Sequence, residues 1–127
     1  KGWKVGLASR NVASLKEVCE KYPNQSAYEQ IDITSEDAIN NVEKLVDKLG
    51  GIDIYFHCSG IGSQNTTIDI KVEESICQTN VVGFTRMTDW AYNYFKKSGR
   101  KGQICVISSI ARAKGLGVSP AYSATKR

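Results

Sequence analysis

An α/β fold, a parallel β-sheet with helices packed against it, is what this sequence predicts, on three observations. Four short β-like runs alternate with helical patterns along the chain. The third run is apolar almost without interruption, as a strand covered on both faces must be. Polar or glycine-rich residues follow three of the four strands, the end of a parallel sheet where ligands bind. Strands and helices at these intervals call for right-handed βαβ units.

The first run, WKVGLAS from Trp3 to Ser9, leads into Asn11 as N-cap and a helix whose Leu15, Val18, Cys19 and Tyr22 follow i, i+3, i+4, i+7 spacing. Pro23 and Asn24 end it. The second, SAYEQID, precedes TSED, where Thr34 and Asp37 have capping-box spacing. The helix after it carries a stripe of Ala38, Val42, Leu45, Val46 and Leu49 and stops at Gly50 and Gly51. The third run, IDIYFHCSG, is followed by a loop with Gly60 and Gly62. A long helix is then expected from about Val72 to Lys97, with Val72, Ile76, Thr79, Gly83, Met87, Trp90 and Tyr94 along one side. It leads to the fourth strand, QICVISS. The residues directly after the strands, and so the candidates for ligand contact, are Ser9 and Arg10, Asp32 and Ile33, Cys58 to Gly60, and Ser108 and Ser109.

Composition restricts the function. The 127 residues suit one domain and are 41% hydrophobic and 24% charged, as in ordinary globular proteins. The net charge of +4 concentrates in KKSGRKG, Lys96 to Gly102, which reads as a solvated helix-to-strand turn; without a reading motif it does not make a nucleic-acid surface. Cys19, Cys58, Cys77 and Cys105 form no CxxC pair, and His57 is the only histidine, so neither a zinc site nor a disulfide framework is expected. Free thiols and the lack of a bilayer-length apolar stretch make a cytoplasmic protein, not bound to membrane, the expectation. The opening KGWKVGLASR has no Met and no apolar h-region, so the chain is expected to begin partway into a fold.

HCSG, TNVVG, VISS and YSATK, in that order, resemble the short-chain dehydrogenase/reductase family along essentially the whole chain. Members carry N-N-A-G after the fourth strand of their sheet, an Asn in the next helix, a Ser after the fifth strand, and Y-x-x-x-K thirteen residues beyond that Ser. Here Ser109 and Tyr122 are thirteen apart, and Tyr122 and Lys126 four apart. The same four-residue spacing occurs at Tyr92 and Lys96, inside the long helix, where no strand-ending serine precedes it; Tyr92 is expected to pack and Lys96 to face solvent. Asn80 and Ser109 in family register therefore carry the assignment, not the pair alone.

The resemblance implies a Rossmann-like, doubly wound parallel sheet, with residues 1–127 forming part of an NAD(P)-binding domain. It implies hydride transfer between a nicotinamide cofactor and a small carbonyl or secondary alcohol, with Asn80, Ser109, Tyr122 and Lys126 catalytic. The chemistry is coherent. Residues four apart share a helix face, so a hydroxyl and an ammonium can point the same way, and a cation beside a phenol favours the phenolate. A Ser at a strand end can hydrogen-bond the carbonyl or the developing alkoxide. Lys126 would also bind the nicotinamide ribose, and Asn80 would hold a relay water. Cofactor contacts fall on Ser9, Arg10, Asp32, Ile33, Cys58, Ser59, Gly60, Tyr122 and Lys126. Ser9 followed by Arg10, with no acid, favours NADP(H) over NAD(H), because a guanidinium forks onto a 2′-phosphate. Asp32 could equally be a turn former ahead of Thr34. A dimer or tetramer, assembled through the long helix, is a further implication.

The chain also departs from the family pattern. HCSG keeps only the glycine of N-N-A-G, and His57 reads as a packed strand residue rather than a base. Gly60 to Gly62 and Gly115 to Gly117 read as flexible loops. The family's first strand and its G-x-x-x-G-x-G turn are absent, as is the C-terminal substrate region, so the sequence is expected to be an internal fragment of a longer enzyme. The Y-x-x-x-K spacing separates it from the enoyl-reductase branch and points to carbonyl/alcohol chemistry. The alternatives are a catalytically inactive dinucleotide-binding or regulatory protein of the same fold and an α/β interaction module. The loop from Ile61 to Asp69 and the stretch from Ile110 to Pro120 would line part of a substrate pocket.

Overall fold

The computed structural model describes residues 2–127, which form two compact units, one ending at Asp53 and the other beginning at Ile54. Each is built on a pair of parallel strands with helices against it, as the alternating pattern requires.

In the first unit β1 (Val5–Ser9) and β2 (Ser26–Gln30) pair in parallel, Val5 opposite Ser26 and Ser9 opposite Gln30. The N-cap position of α1 (Ala13–Lys21) falls on Val12, one residue after the expected Asn11, whose Oδ1 accepts from the Ala13 N–H at 3.0 Å. The apolar stripe of α1 is only partly covered: Leu15 and Cys19 are half-buried, but Val18 and Tyr22 are exposed. Two strands about 4.8 Å apart are too narrow to cover a helix roughly 10 Å across.

Helix α2 (Ala38–Leu49) buries Ala38, Val42, Leu45 and Val46 and ends on Gly50 in the left-handed region, φ 76°. It approaches β1 at Gly6, where a Cβ would come within 2.7 Å of Leu49 Cδ1. The Thr34–Asp37 capping box does not form. Asp32 Oδ1 accepts from both the Thr34 N–H (2.9 Å) and the Thr34 hydroxyl (2.7 Å), and the Asp37 N–H donates to Ser35 Oγ instead. A carboxylate two residues upstream is a better acceptor for the Thr34 hydroxyl than anything the helix offers.

In the second unit β3 (Ile54–His57) and β4 (Gln103–Val106) pair in parallel, Ile54 opposite Gln103 and His57 opposite Val106. Between them runs a nearly continuous helical stretch of α3 (Ile70–Cys77), a π-helical turn (Gln78–Gly83) and α4 (Phe84–Ser98), which ends on Gly99 at φ 64°. The single helix expected here is thus interrupted by a π turn. Ile76, Gly83 and Met87 are buried as expected, but beyond the turn Ala91 and Phe95 take the buried positions while Trp90 and Tyr94 are half-buried. The wider turn rotates the downstream face. A 3₁₀ turn (Ile110–Arg112) and α5 (Pro120–Lys126) complete the unit.

Burial of β3 on both faces is not found within this unit. Tyr55 meets Trp90 edge-on and His57 meets Phe84 edge-on, but Phe56 on the opposite face is 60% exposed. Tyr92 is exposed rather than packed, and Lys96 is exposed as expected.

His57 is a packed strand residue, 3% exposed, with Nδ1 3.0 Å from the Tyr55 hydroxyl and, among the described residues, no hydrogen-bond partner for Nε2. Burial holds the ring below the ordinary histidine value; a backbone contact at Ser59 opposes this, and the charge of Lys126 adds to it. As pH falls, the unfolded chain therefore takes up this proton before the folded one does. Stability should be level above about pH 6.5, the unfolded value, and should decline below it until the folded ring also titrates. Thermal melts from pH 8 to 5 should show this decline, and His57→Gln should flatten it.

Candidate active site

The helix that carries Tyr122 and Lys126 starts at Pro120, whose fixed φ suits the first helical position and whose missing N–H costs nothing there. Tyr122 and Lys126 share a face as their spacing requires, with Lys126 Nζ 5.9 Å from the centroid of the Tyr122 ring. Lys126 Nζ also donates to the Ile107 carbonyl at 3.3 Å, and Ser108 Oγ donates to the Lys126 carbonyl at 3.1 Å. The end of α5 is thereby tied to the residues that leave β4.

The glycines after β3 are closely packed rather than loose. A Cβ on Gly60 would lie 3.0 Å from Lys126 Nζ and 3.4 Å from Asn80 Oδ1. A Cβ on Gly62 would lie 2.7 Å from Tyr122 Cδ2, so the backbone there is seated on the tyrosine ring. This corrects the expectation of a flexible loop for Gly60 to Gly62. At Gly115 and Gly117 a Cβ would meet nothing within 4 Å, which suits the loop expected there.

Asn80 lies in the π turn and is 7% exposed. Its Oδ1 accepts from the Ile61 N–H at 2.9 Å, and its Nδ2 donates to the Ile61 carbonyl at 2.8 Å and to Thr125 Oγ1 at 3.0 Å. Both amide hydrogens are used, so any relay water held by this residue must be met by a remaining oxygen lone pair or by its backbone. Its side chain joins the glycine loop to α5. Nothing in local spacing marks Thr125 as a partner in that joint, and Gly62 reads in the sequence only as a loop glycine.

Ser109 precedes the 3₁₀ turn, and its Oγ accepts from the Ala111 N–H at 3.2 Å. That bond is the local turn role of a serine, and it leaves the hydroxyl hydrogen for another acceptor. Cys58, Ser59 and Gly60 are exposed at the carboxyl end of β3.

In the first unit, Ser9 and Arg10 leave β1 beside Asp32 and Ile33, which leave β2. Ile33 is buried, Ser9 and Asp32 are half-buried, and Arg10 is exposed. The two hydrogen bonds from Thr34 hold the Asp32 carboxyl below its ordinary value, and the charge of Arg10 acts in the same direction. Asp32 therefore does form the local turn. Among the described residues no His/Cys/Asp/Glu cluster suited to a metal occurs, and no helix is long and apolar enough to cross a membrane.

Comparison with known proteins gives a match to the short chain dehydrogenase family over residues 1–127. Among relatives, an uncharacterised oxidoreductase of Staphylococcus haemolyticus is 30% identical over 98% of this chain and 55% of its own length. A 3-oxoacyl-[acyl-carrier-protein] reductase of Thermotoga maritima is 28% identical over 94% of this chain and 50% of its own. The chain spans about half the length of the curated relatives it matches. Among solved structures, ElxO with NADP bound superposes with a TM-score of 0.81 at 26% identity, covering 96% of this chain and 52% of that one. These structural neighbours have the Rossmann fold. With the match running the length of the chain and the Ser109, Tyr122 and Lys126 spacing within it, the chain belongs to the short-chain dehydrogenase family.

Proposed function

We propose that the protein is an NADP(H)-dependent oxidoreductase that interconverts a small carbonyl compound and a secondary alcohol, with Tyr122 as general acid/base. The observation that carries this reading is the placement of Tyr122 and Lys126: one face of α5, 5.9 Å from ammonium to ring centroid, against two glycines that leave room for both side chains.

The residues present fit a nicotinamide dinucleotide. Gly60 keeps the backbone after β3 bare next to Lys126, and Arg10 offers an exposed guanidinium at the end of β1, where an acid would favour NAD. ElxO, a structure 26% identical to this chain, has NADP bound. Ser9, Arg10, Asp32 and Ile33 would hold the adenosine end, while Cys58, Ser59, Gly60, Tyr122 and Lys126 would hold the nicotinamide end. When bound, the reduced cofactor supplies the hydride that adds to the carbonyl carbon.

The chain's own residues handle the proton. Tyr122 gives its hydroxyl proton to the carbonyl oxygen, and Lys126 stabilises the charge left on the phenol oxygen. The Ser109 O–H donates to the same carbonyl oxygen and orients it. Asn80 keeps loop and helix in register and contributes to the path by which Tyr122 is reprotonated. Small carbonyl substrates and assembly as a homo-oligomer of two or four chains complete the proposal.

Two substitutions in the intact protein test it. Tyr122→Phe should lower turnover across a ketone panel by at least about 100-fold, the scale of general-acid catalysis, with cofactor binding retained. Unchanged turnover would remove the catalytic role and favour an inactive dinucleotide-binding protein. Arg10→Ala should weaken NADPH binding by roughly 10- to 100-fold, as expected for a lost charge-assisted contact, and leave NADH binding nearly unaltered. Fluorescence titration of both cofactors reads this.

A further inference from the structure

We infer that Glu73 is a positioning residue for the helix that carries Tyr122 and Lys126; the inference rests on the role proposed for Tyr122. Glu73 lies in the first turn of α3 and is half-buried. Its Oε2 accepts from the Ala121 N–H at 2.8 Å, the peptide directly before Tyr122. Its Oε1 accepts from Asn65 Nδ2 at 2.7 Å. One carboxylate thus bridges two donors, one of which opens the catalytic helix.

The first amides of a helix have no partner within it and need an outside acceptor. The residue before α5 does not supply one: Ser119 makes no side-chain cap, and its hydroxyl donates to the Ser63 carbonyl at 2.9 Å. Glu73, 48 residues earlier, does so instead. The second anchor is equally fixed. Asn65 is 4% exposed, its N–H donates to the Val118 carbonyl (2.7 Å), its Oδ1 accepts from the Asp69 N–H, and its Nδ2 also donates to the Asp69 carbonyl. Between Asn65 and Asp69, Ile68 donates its N–H to the Asn65 carbonyl at 3.3 Å and sits at φ 52°, an unusual conformation for a β-branched residue. The start of α5 is therefore referenced to α3, and the direction in which Tyr122 faces follows from that reference.

The chemistry of the bridge is specific to a carboxylate. Both oxygens accept, whereas a glutamine must turn an NH₂ toward one of the two donors, and an aspartate is too short to keep both contacts. Glu73→Gln in the intact protein should lower kcat by about 10- to 100-fold, the scale on which small misplacements act. KM for the ketone and cofactor affinity should change by less than about threefold, because Tyr122 is misaligned while the binding surfaces remain. In the wild-type protein the Ala121 amide, bonded to Glu73 at 2.8 Å, should be protected from hydrogen exchange, a signature that needs no variant to fold. If Tyr122→Phe abolishes turnover while folded Glu73→Gln keeps wild-type kcat, this inference fails and the proposed function stands. Equal losses in kcat, substrate affinity and cofactor affinity, or an Ala121 amide that exchanges as freely as an unbonded one, would also overturn it. Unchanged turnover in Tyr122→Phe would overturn both together.

Discussion

Three hydrogen bonds from the side chain of Asn80 hold the candidate active site together. Two grip Ile61, one at its N–H and one at its carbonyl, and the third reaches Thr125 on α5. The arrangement is self-consistent: Oδ1 faces a donor, and Nδ2 faces two acceptors. With Asn80 buried, breaking any of these bonds strands a polar group, which costs about 1–3 kcal/mol. The π turn is what puts an asparagine, a poor residue for a helix interior, in this position. With loop and helix joined, Gly60 and Gly62 lie against Lys126 and Tyr122, and a Cβ at Gly62 would collide with the tyrosine ring.

A second tier of contacts orients what Asn80 joins. Glu73 and Asn65 fix the start of α5, and Ser108 with the Ile107 carbonyl fixes its end. The seven-residue helix is too short to be stable by itself. Its conformation comes from these tertiary contacts, so the geometry of Tyr122 and Lys126 depends on residues spread from Asn65 to Ser108. The Tyr92–Lys96 pair has the same spacing on a longer helix, but Tyr92 is exposed. Spacing without the surrounding contacts does not make a site.

Much of the fold is legible in the sequence, because periodicity and helix stops are local. The stripe on α2 and its left-handed stop at Gly50 follow from residue types alone. What is not legible depends on neighbours distant in sequence. A glycine in a loop reads the same whether it flexes or carries a tyrosine ring against it, so the role of Gly62 needed the structure. The π turn leaves the apolar pattern almost intact and shows itself only as a shift of the buried face toward Ala91 and Phe95. Thr34 has the spacing of a cap and serves Asp32 instead, since competition among acceptors is invisible to spacing. The roles proposed for Tyr122, Lys126 and Asn80 rest on their family register, whereas Glu73 looks in the sequence like any acid in a first helical turn.

The central claim is that the joint at Asn80 assembles a site for hydride transfer. Its most direct test is to supply the intact protein and its Asn80→Ala variant with NADPH deuterated at C4 on the transferred face and a panel of ketones, and to examine the alcohols by mass spectrometry and NMR. The account predicts one deuterium on the carbinol carbon with the wild-type protein, and a rate at least about tenfold lower in the variant. No deuterium in any product, or an undiminished rate in a folded variant, would contradict it.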